Sequence, residues 1–284
     1  MQSWLLEHEP QVRMGFFLGI FAIMAIWEIL SPRRRLSQSK LIRWSSNLGI
    51  VVLNSALLRF IFPTAAVGIA LLAEQQGWGL FYQLQLPGWL VLPLAIILMD
   101  GAIYLQHVMF HAVPVLWRLH RMHHTDMDLD VTSGARFHPI EILLSMLIKF
   151  AVIVTLGVPA VAVLIFEILL NGMAMFNHSN VRLPLALDKL LRWLIVTPDM
   201  HRIHHSTIEN EANSNFGFNL SIWDRLCGTY SRQPEKGHEQ MTIGVCDMQD
   251  TRFLKLHWML ALPFMGKIQH YAIHRRQWKK PPSN

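Results

Sequence analysis

Four groups of histidines between residues 107 and 205 restrict this chain more than any other feature of its sequence. They are His107-x3-His111, His120-x2-His123-His124, a single His178, and His201-x2-His204-His205. Residues three or four apart on a helix share one face, so each multi-histidine group can direct two or three imidazoles to one point. The fold must therefore bring four separate segments together.

These histidines indicate a metal centre. Neutral imidazole is the commonest metal ligand in proteins. One ion takes roughly four to six ligands, so nine histidines are too many for one ion and suit two. A lone histidine, such as His8 or His257, is usually an ordinary core or surface residue. A single H-x-x-H-H can arise by chance, but two copies with H-x3-H ahead of the first favour a metal site.

The ligand types favour a redox metal. Structural zinc sites usually include cysteine, and none is present in these groups. Harder cations prefer carboxylates. Imidazole suits iron, zinc and copper, and iron meets the need to activate dioxygen. An unactivated C–H bond of a lipid, reached from the membrane, is the kind of target that needs such an oxidant.

The composition predicts an integral membrane protein. Hydrophobic residues make up 52% of the 284 residues and charged residues only 15%, against about 25% charged in ordinary soluble proteins. The net charge of +6 fits contact with anionic lipid and a positive-inside bias, and we expect no nucleic-acid partner. The two cysteines lack C-x-x-C spacing, so no disulfide framework is predicted.

The apolar segments predict an all-α integral membrane helical bundle of about three transmembrane helices plus a helical hairpin, with a cytoplasmic histidine-rich helical cap. The segments are 14–30, about 48–73, 88 to about 106, and 139–177, which Gly157-Val158-Pro159 interrupts. Glycine followed by proline favours a turn there. Arg59 and Glu167, both inside apolar segments, are a possible ion pair.

Charge and parity predict the orientation. Residues 33–43 carry five cations and so favour the cytoplasmic side, whereas residues 74–87 contain no lysine or arginine. His107 and His201 reach one site only if residues 139–177 cross the membrane and return. The N-terminus is then outside and the C-terminus inside. We expect a multi-pass protein with a cytoplasmic active site in a bacterial inner membrane.

Three regions are predicted. Residues 1–92 form an N-terminal transmembrane region, residues 93–232 the catalytic domain, and residues 233–284 an interfacial tail anchored by basic residues. Within the catalytic domain, residues 215–217 and 220–225 are expected to form a loop and a helix that cap the metal site.

The order and spacing of these motifs resemble those of the fatty acid hydroxylase / sterol desaturase superfamily over roughly residues 93–232. The residues that carry the resemblance are Asp100, His107-x3-His111, His120-Arg121-Met122-His123-His124, His138-Pro139-Ile140-Glu141, Asn177-His178, His201-Arg202-Ile203-His204-His205-Ser206, Asn215-Phe216-Gly217, Trp223-Asp224-Arg225 and Gly228-Thr229.

The resemblance implies a membrane-bound di-iron oxygenase that hydroxylates or desaturates a lipid. It implies two iron ions, dioxygen as co-substrate, and electrons from cytochrome b5 or a ferredoxin with its reductase. The implied ligands are His107, His111, His120, His123, His124, His178, His201, His204 and His205. No catalytic residue beyond the metal ligands is expected.

One departure affects the ligand set. Fatty acid 2-hydroxylases have a paired H-x3-H where this chain has Ala174 and His178. His138 is therefore a candidate tenth ligand, with a role behind the ligands or at a helix start as the alternative. The departure points toward the sterol-desaturase-like and alkylglycerol-monooxygenase-like branches.

Five polar residues are candidates to orient ligand histidines by accepting their free N–H groups. They are Asp100, Asp126, Asn180, Asp199 and Asp224. Asp199 and Asp224 are the favoured two, and a solvated loop or helix cap is the alternative for each.

Two other functions compete with the oxygenase. A histidine-rich metal-binding or transport membrane protein would place its ligands within its spans near the midplane, whereas these histidines lie at helix ends and in polar segments. A scaffold protein without catalysis is the other alternative. The sequence leaves the lipid open, as sterol, carotenoid, fatty acyl chain, ether lipid or sphingoid base.

Overall fold

The computed structural model describes residues 2–266, and nearly all regular structure in that range is helical. Its α-helices are α1 Gln2–Glu7, α2 Glu9–Leu30, α3 Lys40–Ile61, α4 Ala65–Gln76, α5 Leu80–Leu84, α6 Gly88–Ala112, α7 Pro114–His124, α8 Pro139–Leu156, α9 Ala160–Asn177, α10 Leu185–Leu191, α11 Pro198–His204, α12 Glu209–Ala212, α13 Ile222–Leu226, α14 Gly237–Gln240 and α15 Leu256–Ala261. The described residues form isolated bridges but no strand. The predicted all-α class is confirmed.

Five segments among residues 2–266 are long and apolar enough to cross a membrane. They are Glu9–Leu30, Lys40–Leu84, Gly88–Ala112, Pro139–Leu156 and Ala160–Asn177. Helix α9 is the central one, since it packs against α2, α4 and α6. Its buried face joins the main apolar core, which includes Met99 of α6 and Phe166 of α9.

The predicted hairpin is confirmed, because α8 and α9 are separate helices joined by a turn at Gly157–Pro159. Gly157 ends α8 with a left-handed backbone (φ 70°), which glycine adopts without a Cβ penalty. A Cβ on Gly157 would lie 2.7 Å from the carbonyl oxygen of Trp78. The turn therefore packs against the loop before α5, at the end of the bundle opposite the histidines.

The predicted apolar segment 48–73 is two helices, α3 and α4, rather than one span. Helix α3 ends at Ile61 and α4 begins at Ala65. Pro63 lies between them; it lacks an N–H group and disfavours helical backbone at the residue before it. Helix α4 then packs across α8 and α9 instead of continuing in line with α3.

The predicted ion pair between Arg59 and Glu167 is wrong. Glu167 instead binds the Lys149 ammonium at 2.7 Å and the Arg13 guanidinium at 3.0 Å. Arg59 is exposed on α3. The carboxylate thus takes its cations from α8 and α2 rather than from α3.

The N-terminal helices hold the histidine-bearing segments directly. Glu28 of α2 accepts the backbone N–H of Val131 at 2.7 Å and that of Asn180 at 2.8 Å. Arg43 of α3, fully buried, binds Asp126 at 2.7 Å and Asp130 at 2.5 Å. We call the histidine-bearing segments between α6 and α8 and after α9 the cap. The cap and the segment between α2 and α3 therefore lie at the same end of the bundle.

The C-terminal segment packs on the protein where an interfacial tail was predicted. Met259 and Leu262 are buried with Ile50 of α3 and Met122 of α7. Arg121 of α7 donates to the backbone carbonyls of Leu262 and Met265. One of the basic residues expected to anchor the tail, Lys255, is exposed. The others lie outside the described residues: Lys267, Arg275, Arg276, Lys279 and Lys280.

Candidate metal centre

Four elements place the nine histidines around one buried region. His107 and His111 lie one turn apart near the end of α6, and His120, His123 and His124 end α7. His178 caps the C-terminus of α9, and the last three histidines lie on and just after α11. The hairpin of α8 and α9 returns the chain to this end, as the parity argument requires.

The nine rings separate into two groups. One contains His107, His111, His120, His124 and His204, and the other His123, His178, His201 and His205. Within each group, one nitrogen from every ring lies within 4.8 Å of all the others. All nine side chains are buried. The arrangement therefore offers two adjacent sites for cations, with five and four imidazoles.

Outward hydrogen bonds assign the tautomers of several rings. The Nδ1–H of His107 donates to the Phe216 carbonyl at 2.8 Å, and that of His204 donates to the Ser214 carbonyl at 2.8 Å. In the other group, the Nδ1–H of His178 donates to the Ala174 carbonyl at 2.8 Å. An oxygen acceptor requires the proton on Nδ1, which leaves Nε2 with a lone pair directed inward.

In two contacts between such rings, two Nε2 atoms face each other and neither carries a proton. The Nε2 atoms of His107 and His120 are 3.1 Å apart, and each ring donates its Nδ1 proton outward. The Nε2 atoms of His123 and His178 are 3.0 Å apart, again with both Nδ1 groups bonded outward. Facing lone pairs repel unless a cation lies between them. One such pair occurs in each group, so the residues fit two metal ions.

Burial keeps the rings in the neutral form that binds metal. It lowers the pKa of His120 and of His178 to about 3, each from an ordinary value of 6.5. The pKa of His123, His124, His201, His204 and His205 is lowered well below that value by burial and then by neighbouring rings. Protons therefore do not compete for these nitrogens near neutral pH.

One carboxylate supports a ring of the histidine groups, and sequence reasoning assigned it no role. Glu141 of α8 accepts the Nδ1–H of His120 at 2.7 Å. The second oxygen of Glu141 is buried without a hydrogen-bond partner. Asn213, also missed, accepts from His111 Nδ1 at 3.3 Å. Glu141 lies three residues after His138 in the sequence, but only the packing of α8 against α7 shows which ring it meets.

The two favoured candidates for that supporting role bind other groups. Asp224 accepts the N–H groups of Phe216 and Gly217 at 2.7 and 2.8 Å, so it acts on His107 through the Phe216 carbonyl. Burial raises the pKa of Asp224 to about 6 despite these bonds. Asp199 pairs with Arg33 and Arg202. The predicted capping loop and helix are therefore present, and Asp224 orders the loop.

The other three candidates also bind groups outside the histidine cluster. Asp126 pairs with Arg43, and although burial alone would raise its pKa, that guanidinium lowers it to about 2. Asp100 accepts from the Trp223 indole at 2.9 Å. Asn180 bonds to the backbone of Arg34. Among the contacts of residues 2–266, none of these three accepts a hydrogen bond from one of the nine rings.

The structure places His138 outside both groups. It is the N-cap of α8, where its Nδ1 accepts the Ile140 N–H at 3.2 Å. Its Nε2 then carries the proton and donates to the Leu260 carbonyl at 3.2 Å. Both ring nitrogens are occupied, so the geometry does not support a tenth ligand. The helix-start alternative describes its position.

Aromatic side chains enclose the rings. Phe137 stacks on His123 with ring centroids 4.5 Å apart and an interplanar angle of 11°. Phe216 contacts His107, His111 and His204. Trp117 is also buried, and its ring centroid lies 4.7 Å from that of His111. These walls exclude water from the nitrogens and strengthen electrostatic interactions there.

Comparison with known proteins gives consistent relatives. Residues 92–229 match the family model described as fatty acid hydroxylase. The chain is 28% identical to ornithine lipid hydroxylase OlsE of Rhizobium tropici, over 92% of this chain and 78% of the relative. It is 27% identical to alkylglycerol monooxygenase of Xenopus tropicalis, over 61% and 35% respectively. It is 24% identical to a cholesterol 25-hydroxylase-like protein of Danio rerio, over 79% and 94%. No solved structure matches the chain.

Proposed function

We propose that this chain is a membrane-bound di-iron oxygenase of the fatty acid hydroxylase superfamily, and that it hydroxylates or desaturates a lipid with dioxygen. The two histidine groups are the observation that carries this proposal. Each group presents inward lone pairs and buried neutral rings, at one end of helices long and apolar enough to span a bilayer.

The residues of both groups would hold the two ions. His107, His111, His120, His124 and His204 would hold one, and His123, His178, His201 and His205 the other. When bound, two irons supply reductive activation of dioxygen: in hydroxylation one oxygen atom enters a C–H bond, and the other leaves as water with two electrons and two protons. The protein orients the rings, keeps them neutral and excludes water around them.

The substrate is proposed to be a membrane lipid that enters from the bilayer. The relatives include proteins named for an ornithine lipid, for alkylglycerols and for cholesterol. These molecules share an apolar body attached to a polar group. A buried site at the ends of α6 and α9 is reached by such a lipid from the hydrocarbon side.

Orientation and electron supply complete the proposal. The cation-rich segment 33–43 lies at the histidine end of the bundle, which supports a cytoplasmic site by the positive-inside rule. A bacterial inner membrane is the proposed location. Cytochrome b5 or a ferredoxin with its reductase is the proposed electron donor.

Comparative lipid mass spectrometry tests the proposed reaction. Cells expressing the chain under labelled dioxygen are compared with cells expressing His123→Ala or His204→Ala. We expect one lipid class to gain one labelled oxygen atom, or to lose two hydrogens, only with the unaltered chain.

An exposed histidine provides the matched control. His257 lies outside both groups and is exposed, so His257→Ala should leave the lipid products unchanged. Identical lipids with and without the chain, or full turnover by either ligand variant, would contradict the proposed function.

A further inference from the structure

A cluster of exposed apolar side chains covers the outer face of α10, α13 and the residues after α10. Six large members are Leu185, Leu190, Trp193, Leu194, Ile222 and Leu226, and four of the six, Leu190, Trp193, Leu194 and Leu226, are between 66% and 70% exposed. We name these six residues the cap face. Such a contiguous apolar surface marks an interaction site rather than ordinary surface composition.

The two parts of the cap face are fixed to each other. Ser221 N–H donates to the Leu194 carbonyl at 3.1 Å, and its hydroxyl donates to the Arg192 carbonyl at 2.6 Å. The Arg225 guanidinium lies over the Trp193 ring at 4.5 Å. The cap face is therefore one rigid surface and not two mobile loops.

Two charged side chains inside this region are turned away from the face. Asp188 and Arg192 are buried and paired with each other at 2.7 Å. Lys189 is exposed beside the leucines, and Arg182 is exposed just before α10. Long basic side chains at the edge of an apolar face reach headgroup level while the face contacts hydrocarbon.

Contact with α6 sets the depth of the cap face. The Trp223 indole donates to Asp100 at 2.9 Å, and its ring lies 3.0 Å from the Cβ position of Gly101. Asp100 precedes the end of α6 by twelve residues, or about 18 Å of helix at 1.5 Å per residue. On either side of this contact α6 exposes Leu98 and Leu105. Helix α13 thus packs beside the lipid-facing thickness of a spanning helix.

We infer that the cap face is embedded in the hydrocarbon of the leaflet nearest the histidine centre. The occupant is phospholipid acyl chain, because the face is continuous with the lipid-facing surface of α6. Its exposed basic residues, Lys189 and Arg182, can reach the headgroups. The half-buried Arg225 donates to the Arg192 carbonyl and stacks on Trp193. An interfacial element of this protein is then α10 with α13, in the middle of the chain.

The two native cysteines provide a direct test. Cys227 follows Leu226 at the end of α13, and Cys246 lies in a polar turn; both are exposed on the protein. Broken membranes that carry the unaltered chain are treated with a charged, water-soluble maleimide. We expect Cys227 to react at least about tenfold more slowly than Cys246, because a charged, water-soluble reagent enters hydrocarbon only at a high cost in free energy. After denaturation in SDS the two should react alike.

A second measurement distinguishes lipid from a protein partner. In a chain with Cys227→Ser and Cys246→Ser, nitroxide labels are placed by Leu190→Cys and, as control, Asp247→Cys. We expect relaxation of the Leu190→Cys label by oxygen, which concentrates in hydrocarbon, and relaxation of the control label by a water-soluble nickel chelate. Equal maleimide rates overturn the inference. A Leu190→Cys label inaccessible to both reagents also overturns it, since protein and not lipid would then cover the face.

Discussion

Hydrogen bonds at the outward nitrogens of the histidine rings determine what the inward nitrogens can bind. Among the rings whose Nδ1 acceptor the structure gives, His120 is the one bonded to a carboxylate, whereas His107, His178 and His204 donate to backbone carbonyls. A carboxylate partner raises the basicity of an imidazole more than a neutral oxygen does. Glu141 therefore makes His120, in the five-histidine group, a stronger donor to a metal ion than the rings bonded to backbone carbonyls.

Replacement of Glu141 should weaken metal binding without unfolding the protein. We expect Glu141→Gln to lower metal affinity by about tenfold or more, the usual cost of losing such a partner. Iron retained during a chelator titration, together with the Mössbauer spectrum, measures the effect. Asp247→Asn, at an exposed carboxylate, is the control. Unchanged iron retention and an unchanged spectrum in Glu141→Gln would show that the bond to His120 is only structural.

His238 gives a pH dependence separate from the metal ligands. Burial, then nearby arginines, lower its pKa to about 4 although Asp199 opposes the shift. The unfolded ring takes up a proton near pH 6.5 and the folded ring does not until about pH 4. The free energy of unfolding therefore falls as the pH falls through this window. Above about pH 6.5 the ring is neutral in both states, so His238 adds no pH dependence to stability there.

A variant isolates that contribution. Between pH 6.5 and 4, the unaltered chain should lose stability more steeply than His238→Gln, by at most about 1.4 kcal/mol per pH unit. Thermal unfolding midpoints in detergent at several pH values measure both slopes, and the metal ligands cancel in the comparison. Parallel slopes would mean that the folded ring takes up its proton like the unfolded one.

At the scale of elements, helix α3 supports the histidine groups although it contributes no histidine to them. Arg43 is buried with Asp126 and Asp130, and it also donates to the Asp128 carbonyl at 2.7 Å. Asp126 follows His124 by two residues. The arginine thus fixes the path of the chain as it leaves α7.

Arg43→Met should leave two buried carboxylates without their cation. Removal of one member of a buried ion pair costs about 3–5 kcal/mol, so we expect a clearly lower unfolding midpoint and weaker iron retention. Arg59→Met, at an exposed arginine on the same helix, should change stability by no more than about 0.5 kcal/mol. Equal effects of the two substitutions would contradict the proposed role of Arg43.

Sequence reasoning predicted those elements whose position depends on the residues at that position. Gly157 and Pro159 predicted the hairpin because turn formation depends on those residues themselves. The break between α3 and α4 was missed because the apolar pattern continues through Pro63. Sequence reasoning did not find the partners of Glu167. It also did not show that Glu141 contacts a ring of the histidine groups while His138 lies outside them. Both depend on how the helices pack and on which face of each helix meets its neighbour, which a single sequence does not contain. The division of the chain at residues 92 and 232 stays a prediction.

At the scale of the whole molecule, the bundle and the cap form one unit around the histidines. Helices α2 and α3 bind the cap through Glu28 and Arg43, and the cap returns to α6 through Trp223 and Asp100. The nine proposed ligands come from segments up to 98 positions apart, His107 to His205. Spacing and repetition were enough to select them, since chance rarely repeats such a pattern. Their division into two groups required the structure.

Metal stoichiometry tests the central claim most directly. The purified chain, supplied with iron, is assayed for metal per polypeptide beside His111→Ala and His201→Ala, one variant from each group, and the His257→Ala control. We predict two irons in the unaltered chain and in the control, and one or none in each ligand variant. A single iron in the unaltered chain, or two irons retained by either ligand variant, would contradict a two-metal centre built from these groups.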